Sequence, residues 1–241
     1  MTAAPIVLWS VPRSGSTAFE RMMSERGDHV VLSEPFSSAY YDGPEQQSSR
    51  FPVTAPDATV GSIAADVLHA GAREPVFVKD MAYHVHRGAT PALLEQLTNT
   101  FLIRDPAWSV PSFAAHWPDF TDHELGFDAV AGLVAMVESL GCDVVIFDSA
   151  DLRDDPAGIV RAWCTAVGIP FDEDALRWTP GRQPGWERWS EWHEGTARSS
   201  GFLPPETGAP PAPDDPRVAA AIAGATPVYE ALRAKRVRAA P

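Results

Sequence analysis

The sequence predicts a three-layer α/β sandwich built on a central parallel sheet. Two observations carry this. Five short apolar runs (Ile6–Trp9, Val30–Leu32, Pro75–Lys79, Asn99–Ile103 and Asp143–Phe147) are separated by segments with helical character. Each run is nearly continuous in its apolar residues, as strands buried on both faces are, and does not alternate as half-solvated strands do. The chain of 241 residues, 45% hydrophobic, is long enough to enclose one such sheet as a single domain.

In chain order, Ile6–Trp9 is a strand, Ser10–Gly15 a turn and Ser16–Arg26 a helix. After the second strand, Phe36–Thr59 is polar and rich in Tyr, Gly, Pro and Ser, and reads as a long loop over a site, since such loops are uncommon without a function. Gly61–Ala72 is helical, and the third strand follows at Pro75. Pro91–Leu97 is a short helix with proline in its first turn. Beyond the fourth strand come helices over Ala107–His116, despite Pro111, and over Phe127–Leu140. The fifth strand leads to a helix at Pro156–Val167. From Trp178 the composition changes. Residues 179–216 read as a lid and proline-rich cover, with Trp186, Trp189 and Trp192 at a spacing that would line one helix face. Residues 217–236 form a terminal helix, interrupted near Gly224–Pro227.

Charge and composition narrow the function. The net charge is −13, with no basic face of the kind nucleic-acid binders carry, so an anionic ligand needs a local cationic cluster. No run approaches the roughly 18 apolar residues of a membrane span, and no basic leader is visible. Cys142 and Cys164 have no metal-site spacing and read as free thiols in a reducing cytoplasm. No metal site is expected.

The turn Ser10-Val-Pro-Arg-Ser-Gly-Ser-Thr lies between a strand and a helix. Unpaired N–H groups and the helix dipole favour an anion there, as in a P-loop. Gly15 allows close approach, Ser14, Ser16 and Thr17 add hydroxyls, and Arg13 adds a fixed charge. Simple helix capping by Ser16 or Thr17 accounts for the same residues. There is no Gly-Lys-Ser/Thr of the Walker A pattern.

Pro12-Arg-Ser-Gly-Ser-Thr resembles the 5′-phosphosulfate loop of sulfotransferases that use 3′-phosphoadenosine-5′-phosphosulfate (PAPS). Two further stretches agree. Arg104-Asp-Pro closes the fourth strand, with Ser112 eight residues after Arg104, and is similar to the family's 3′-phosphate motif. Phe147-Asp-Ser-Ala-Asp-Leu, Asp155-Pro and Gly168-Ile-Pro follow in the family's order. A guanidinium at a strand's carboxyl end suits phosphate, although Arg104-Asp105 also reads as a local ion pair.

The resemblance implies PAPS as donor, 3′-phosphoadenosine-5′-phosphate (PAP) as product, and binding by Pro12, Arg13, Ser14, Gly15, Ser16, Thr17, Arg104 and Ser112. Arg198, in a late Gly-containing loop, matches the family only loosely as a further phosphate contact. Arg13 stands where many relatives have a lysine for the leaving oxygen. Met81, in Lys79-Asp-Met, stands where many have a histidine. Glu34 in Ser33-Glu-Pro-Phe is then the better base, with a pKa expected to be raised by partial burial. His84 is a second catalytic candidate. The acceptor is expected to be a small-molecule hydroxyl, with no nucleic acid or membrane partner; the oligomeric state, a homodimer included, stays open. Rival readings are a P-loop kinase or nucleotide hydrolase, and a repurposed sulfotransferase fold that binds nucleotide, cyclises or eliminates without sulfating.

Overall fold

A computed structural model describes residues 3–210 and 212–239. The first two residues, Pro211 of the proline-rich cover and the last two residues lie outside them. Five strands, β1 (Ile6–Ser10), β2 (Val30–Ser33), β3 (Val76–Met81), β4 (Thr98–Ile103) and β5 (Val145–Asp148), form one parallel sheet in the order β2-β3-β1-β4-β5. The helices are α1 (Ser16–Arg26), α2 (Ser37–Tyr41), α3 (Val60–Gly71), α4 (Ala82–Val85), α5 (Pro91–Leu94), α6 (Pro106–Ala114), α7 (Phe127–Ser139), α8 (Ser149–Asp154), α9 (Pro156–Val167), α10 (Ser190–Ala197) and α11 (Pro216–Ala234).

β1 is the centre. It pairs with β3 from Ile6↔Phe77 to Ser10↔Met81, and with β4 from Ile6↔Thr98 to Ser10↔Leu102. Side chains alternate across a strand. Ile6 and Leu8 therefore enter one core layer with Phe19 and Met22 of α1 and Ile159 and Trp163 of α9. Val7 and Trp9 enter the other, with residues of α3, α6, α7 and α11. Both faces are covered, which explains the unbroken apolar runs. The buried Trp9 indole donates to Asn99 Oδ1 at 3.0 Å, so its polar atom is satisfied.

Several expectations change. Phe36–Thr59 is not all loop: it opens with α2, whose Tyr40 and Tyr41 are buried. α5 stops at Leu94, and α4 and α8 are short helices that the sequence did not signal. α11 runs through Pro227 without a break. Its Ala221, Ala225, Tyr229 and Leu232 are buried in the sheet's core layer, and that burial outweighs the lost backbone hydrogen bond. Among the described residues no helix is long and apolar enough to cross a membrane.

Candidate active site

Each strand delivers a polar residue at its carboxyl end: the turn to Gly15 after β1, Glu34 after β2, His84 beyond β3, Arg104 after β4 and Arg153 beyond β5. All of them line one cavity. The strand order reverses beside β1, and the crevice at such a reversal is where open parallel sheets hold ligands.

The turn leaves backbone donors open at the start of α1. The N-cap of α1 is Gly15, which has no side chain to close the first N–H groups, so Ser16 and Thr17 sit inside the helix and do not cap it. Ala18 and Phe19 return their N–H groups to the Gly15 carbonyl at 3.0 and 3.2 Å, which leaves the earlier donors to an external acceptor. Gly15 has φ 89°, and a Cβ there would meet no atom within 4 Å, so the space in front of it is open. The Ser14 hydroxyl donates to the Val11 carbonyl at 2.7 Å and so shapes the turn, leaving Ser16 and Thr17 as the hydroxyls on the open side.

Arg13 has φ 63° and Glu34 φ 48°; among the described residues these are the non-glycine residues with positive φ. Each such backbone costs about 1–2 kcal/mol, and strain of this kind collects at functional sites. Arg13 Nε donates to Ser112 Oγ at 2.9 Å and Nη1 to the Trp192 carbonyl at 3.3 Å. No carboxylate pairs with it among the described residues. Burial, and then the neighbouring Arg104, push its pKa down.

Ser112 thus bonds to Arg13, where the sequence placed it beside Arg104 on one phosphate. Arg104 donates to the Arg13 carbonyl and to Glu206, and its buried Nε has no partner. Arg153 of α8 donates to the same Glu206 oxygen. Asp105 makes no ion pair with Arg104; its carboxylate accepts from the Ala107 N–H at 2.8 Å and caps α6.

The acid–base groups sit across the cavity. Lys79 is wholly buried between two carboxylates, Glu34 and Glu20, the latter at 3.2 Å. Glu20 also accepts from the Trp186 indole at 2.6 Å and from Ser33 at 3.0 Å. His193 Nε2 lies 3.9 Å from Glu34. Burial alone would raise the Glu34 pKa, as the sequence reading expected. The Lys79 ammonium overrides it, with help from His193 and His84, and holds the carboxyl far below its usual range. Burial would likewise lower the Lys79 pKa, but Glu34 and Glu20 hold it above its usual value. The pair is therefore charged at any ordinary pH.

His84 has the opposite arrangement. Its Nδ1 lies 2.6 Å from Asp80 Oδ1, and Asp80 is itself held by the N–H groups of Phe36 at 2.7 Å and Met81 at 2.8 Å. The other nitrogen, Nε2, is buried without a partner in a residue that lines the cavity. An imidazole oriented by a carboxylate, with its second nitrogen free, is the geometry of a general base.

Tyr41, Tyr83, Phe113, Trp117, Trp189 and Trp192 complete the wall. The tryptophans do not share one helix face: Trp186 and Trp189 precede α10, and only Trp192 lies in it. Arg198 is not brought to the cavity. Its guanidinium is exposed and pairs with Glu194 at 3.5 Å. Sequence reasoning missed Asp80, Arg153, His193 and Glu206. A Lys-Asp pair ending an apolar strand was a visible signal for Asp80; the single residues Arg153, His193 and Glu206 gave none.

A family model described as "Sulfotransferase domain" matches residues 4–236. Two curated proteins of Arabidopsis thaliana, branched-chain-amino-acid aminotransferase-like proteins 2 and 1, are 28% and 26% identical to this chain over 204 and 208 residues. Each alignment takes in 82% of this chain but 36% of the relative, so the chain spans about a third of their length. Among solved structures, a sulfotransferase domain from the curacin biosynthetic pathway has 12% identity and TM-score 0.46, covering 93% of this chain and 97% of its own. One from the Synechococcus PCC 7002 olefin synthase has 15% identity and TM-score 0.49, covering 92% and 94%. Mouse sulfotransferase SULT7A1 complexed with PAP has 11% identity and TM-score 0.43, covering 71% and 60%.

Proposed function

The chain belongs to the sulfotransferase domain family, and on that premise we propose that it moves a sulfuryl group from PAPS to a hydroxyl of a small-molecule acceptor and releases PAP. The observation that carries this reading is the cluster of Arg13, Arg104 and Arg153 beside an uncapped helix N-terminus, in one cavity with an Asp-oriented histidine. Arg104 and Arg153 share a single carboxylate, Glu206, and among the described residues Arg13 pairs with none, in a protein of net charge −13. Such a concentration of unbalanced positive charge fits a ligand with several negative groups.

The residues present fit this donor. Gly15 faces open space, the first N–H groups of α1 are uncapped, and Arg104 Nε is an orphaned buried donor. The turn over Pro12–Thr17 and Arg13 would hold the phosphosulfate end, and Arg104 with Arg153 the 3′-phosphate. Bound there, the donor supplies an activated sulfuryl group and a nucleotide leaving group. Arg13 stabilises negative charge on the leaving oxygen and, as a guanidinium, does so without giving up a proton. His84 Nε2 takes the acceptor hydroxyl's proton as its oxygen bonds to sulfur. Glu34, ionised throughout, carries negative charge near the imidazole and fixes Lys79. The aromatic wall suits an acceptor with a flat or apolar body next to its hydroxyl.

Calorimetry with PAP and ADP tests the reading. PAP is expected to bind at least about tenfold more tightly, from charge-assisted hydrogen bonds to its extra phosphate. Equal affinities would remove Arg104 and Arg153 from nucleotide recognition and take the donor assignment with them.

A further inference from the structure

From Leu203, which lines the cavity, to Pro210 the chain forms a strap without helix or strand, and of these residues only Glu206 is tucked in. One oxygen of its carboxylate, Oε1, accepts from both Arg104 and Arg153. Leu203, the strap's first residue, is 51% exposed, and Pro204 and Pro205 are exposed as well. Glu206 is thus the strap's polar anchor, and it sits on guanidiniums that line the cavity.

The anchor is a poor match for its seat. Arg104 Nε, buried and pointing at no partner, stays unsatisfied with the carboxylate in place. Two guanidiniums offer more donors than one carboxylate oxygen can take, whereas a phosphate monoester offers three oxygens and up to two charges. We propose that Arg104 and Arg153 form a phosphate subsite that Glu206 fills in the ligand-free protein, and that an incoming phosphate monoester displaces Glu206 and frees the strap. Arg153 is then a phosphate-binding residue, and Glu206 an internal competitor. The proposal rests on the nucleotide reading above only for the identity of that phosphate.

Two measurements separate the proposal from that reading. In calorimetry, Glu206→Gln should bind PAP about five- to twentyfold more tightly than the unaltered protein, because the charged competitor is gone. Its affinity for ADP, which lacks the 3′-phosphate, should change less than about twofold, within the scatter of a distant surface change. Unchanged or weaker PAP binding by this variant, in a protein that prefers PAP to ADP, would overturn the proposal and leave the donor assignment standing. The second uses hydrogen exchange on the unaltered protein in inorganic phosphate or in chloride at matched ionic strength. The amides of Glu206 to Ala209 should exchange faster in phosphate. Identical exchange in the two salts overturns the proposal whatever the nucleotide. Faster exchange with no preference for PAP over ADP would sustain the subsite and reject the donor.

Discussion

Glu34 and His84 line the same cavity with different partners. Glu34 is ionised because Lys79 lies against it, and that same contact makes it a weak proton acceptor. His84 carries a free Nε2 and an orienting Asp80. Replacing His84 by Asn should therefore lower turnover by about 10²–10⁴-fold, the usual contribution of a general base, with PAP affinity kept within a few-fold. Glu34→Gln should cost less, about tenfold, because Lys79 retains Glu20 at 3.2 Å. Steady-state kinetics on both variants decides the roles, and the reverse ranking would give the proton to Glu34. At this scale the sequence was half legible. Glu34 and His84 were both visible as candidates, but the burial of Lys79 beside Glu34 was not, because it is a contact across two strands that no local pattern encodes.

At the scale of elements, the Lys79 cluster ties β3 to β2 and α1, since Glu34 follows β2 and Glu20 lies in α1. A carboxyl with a depressed folded-state pKa stabilises the fold above its unfolded value and loses that contribution as pH falls through the folded value. For Glu34 the ordinary value is 4.5, so the loss begins below that pH. Chemical denaturation between pH 5 and pH 3 should show the unaltered protein losing stability faster than Glu34→Gln by up to about 1.4 kcal/mol per pH unit. Parallel curves would mean that the pair is not coupled to folding. Lys79, whose pKa is raised, contributes below its ordinary value of 10.5 and adds no slope in this window.

The turn before α1 allows a sharper split between scaffold and site. An alanine at Gly15 would meet no atom, so only the strain of φ 89° opposes it, about 1–2 kcal/mol. Thermal unfolding should fall by a few degrees, while nucleotide affinity falls more than about tenfold because the new methyl occupies the cradle. A variant that loses several degrees but binds PAP normally would show that the cradle lies elsewhere. The turn, Arg104 and the five strands were legible because each rests on local signals: apolar runs, a glycine at a helix start, an arginine ending a strand. The path of α11 through Pro227 was not, because packing of Tyr229 and Leu232 decides it.

Across the whole molecule, the parallel sheet brings five strand ends to one cavity. Arg13 is held by Ser112 of α6 and by the Trp192 carbonyl of α10, so elements far apart in sequence position one guanidinium. Three guanidiniums, those of Arg13, Arg104 and Arg153, line one cavity in a protein of net charge −13. The most direct measurement is mass spectrometry of PAPS incubated with the protein and a mixture of phenols and other aromatic alcohols. The predicted result is one sulfate ester formed together with an equal amount of PAP, and neither with the His84→Asn variant beyond background. Tight PAP binding with no sulfate ester from any acceptor would contradict transfer and leave a sulfotransferase-family protein that binds the nucleotide without sulfating.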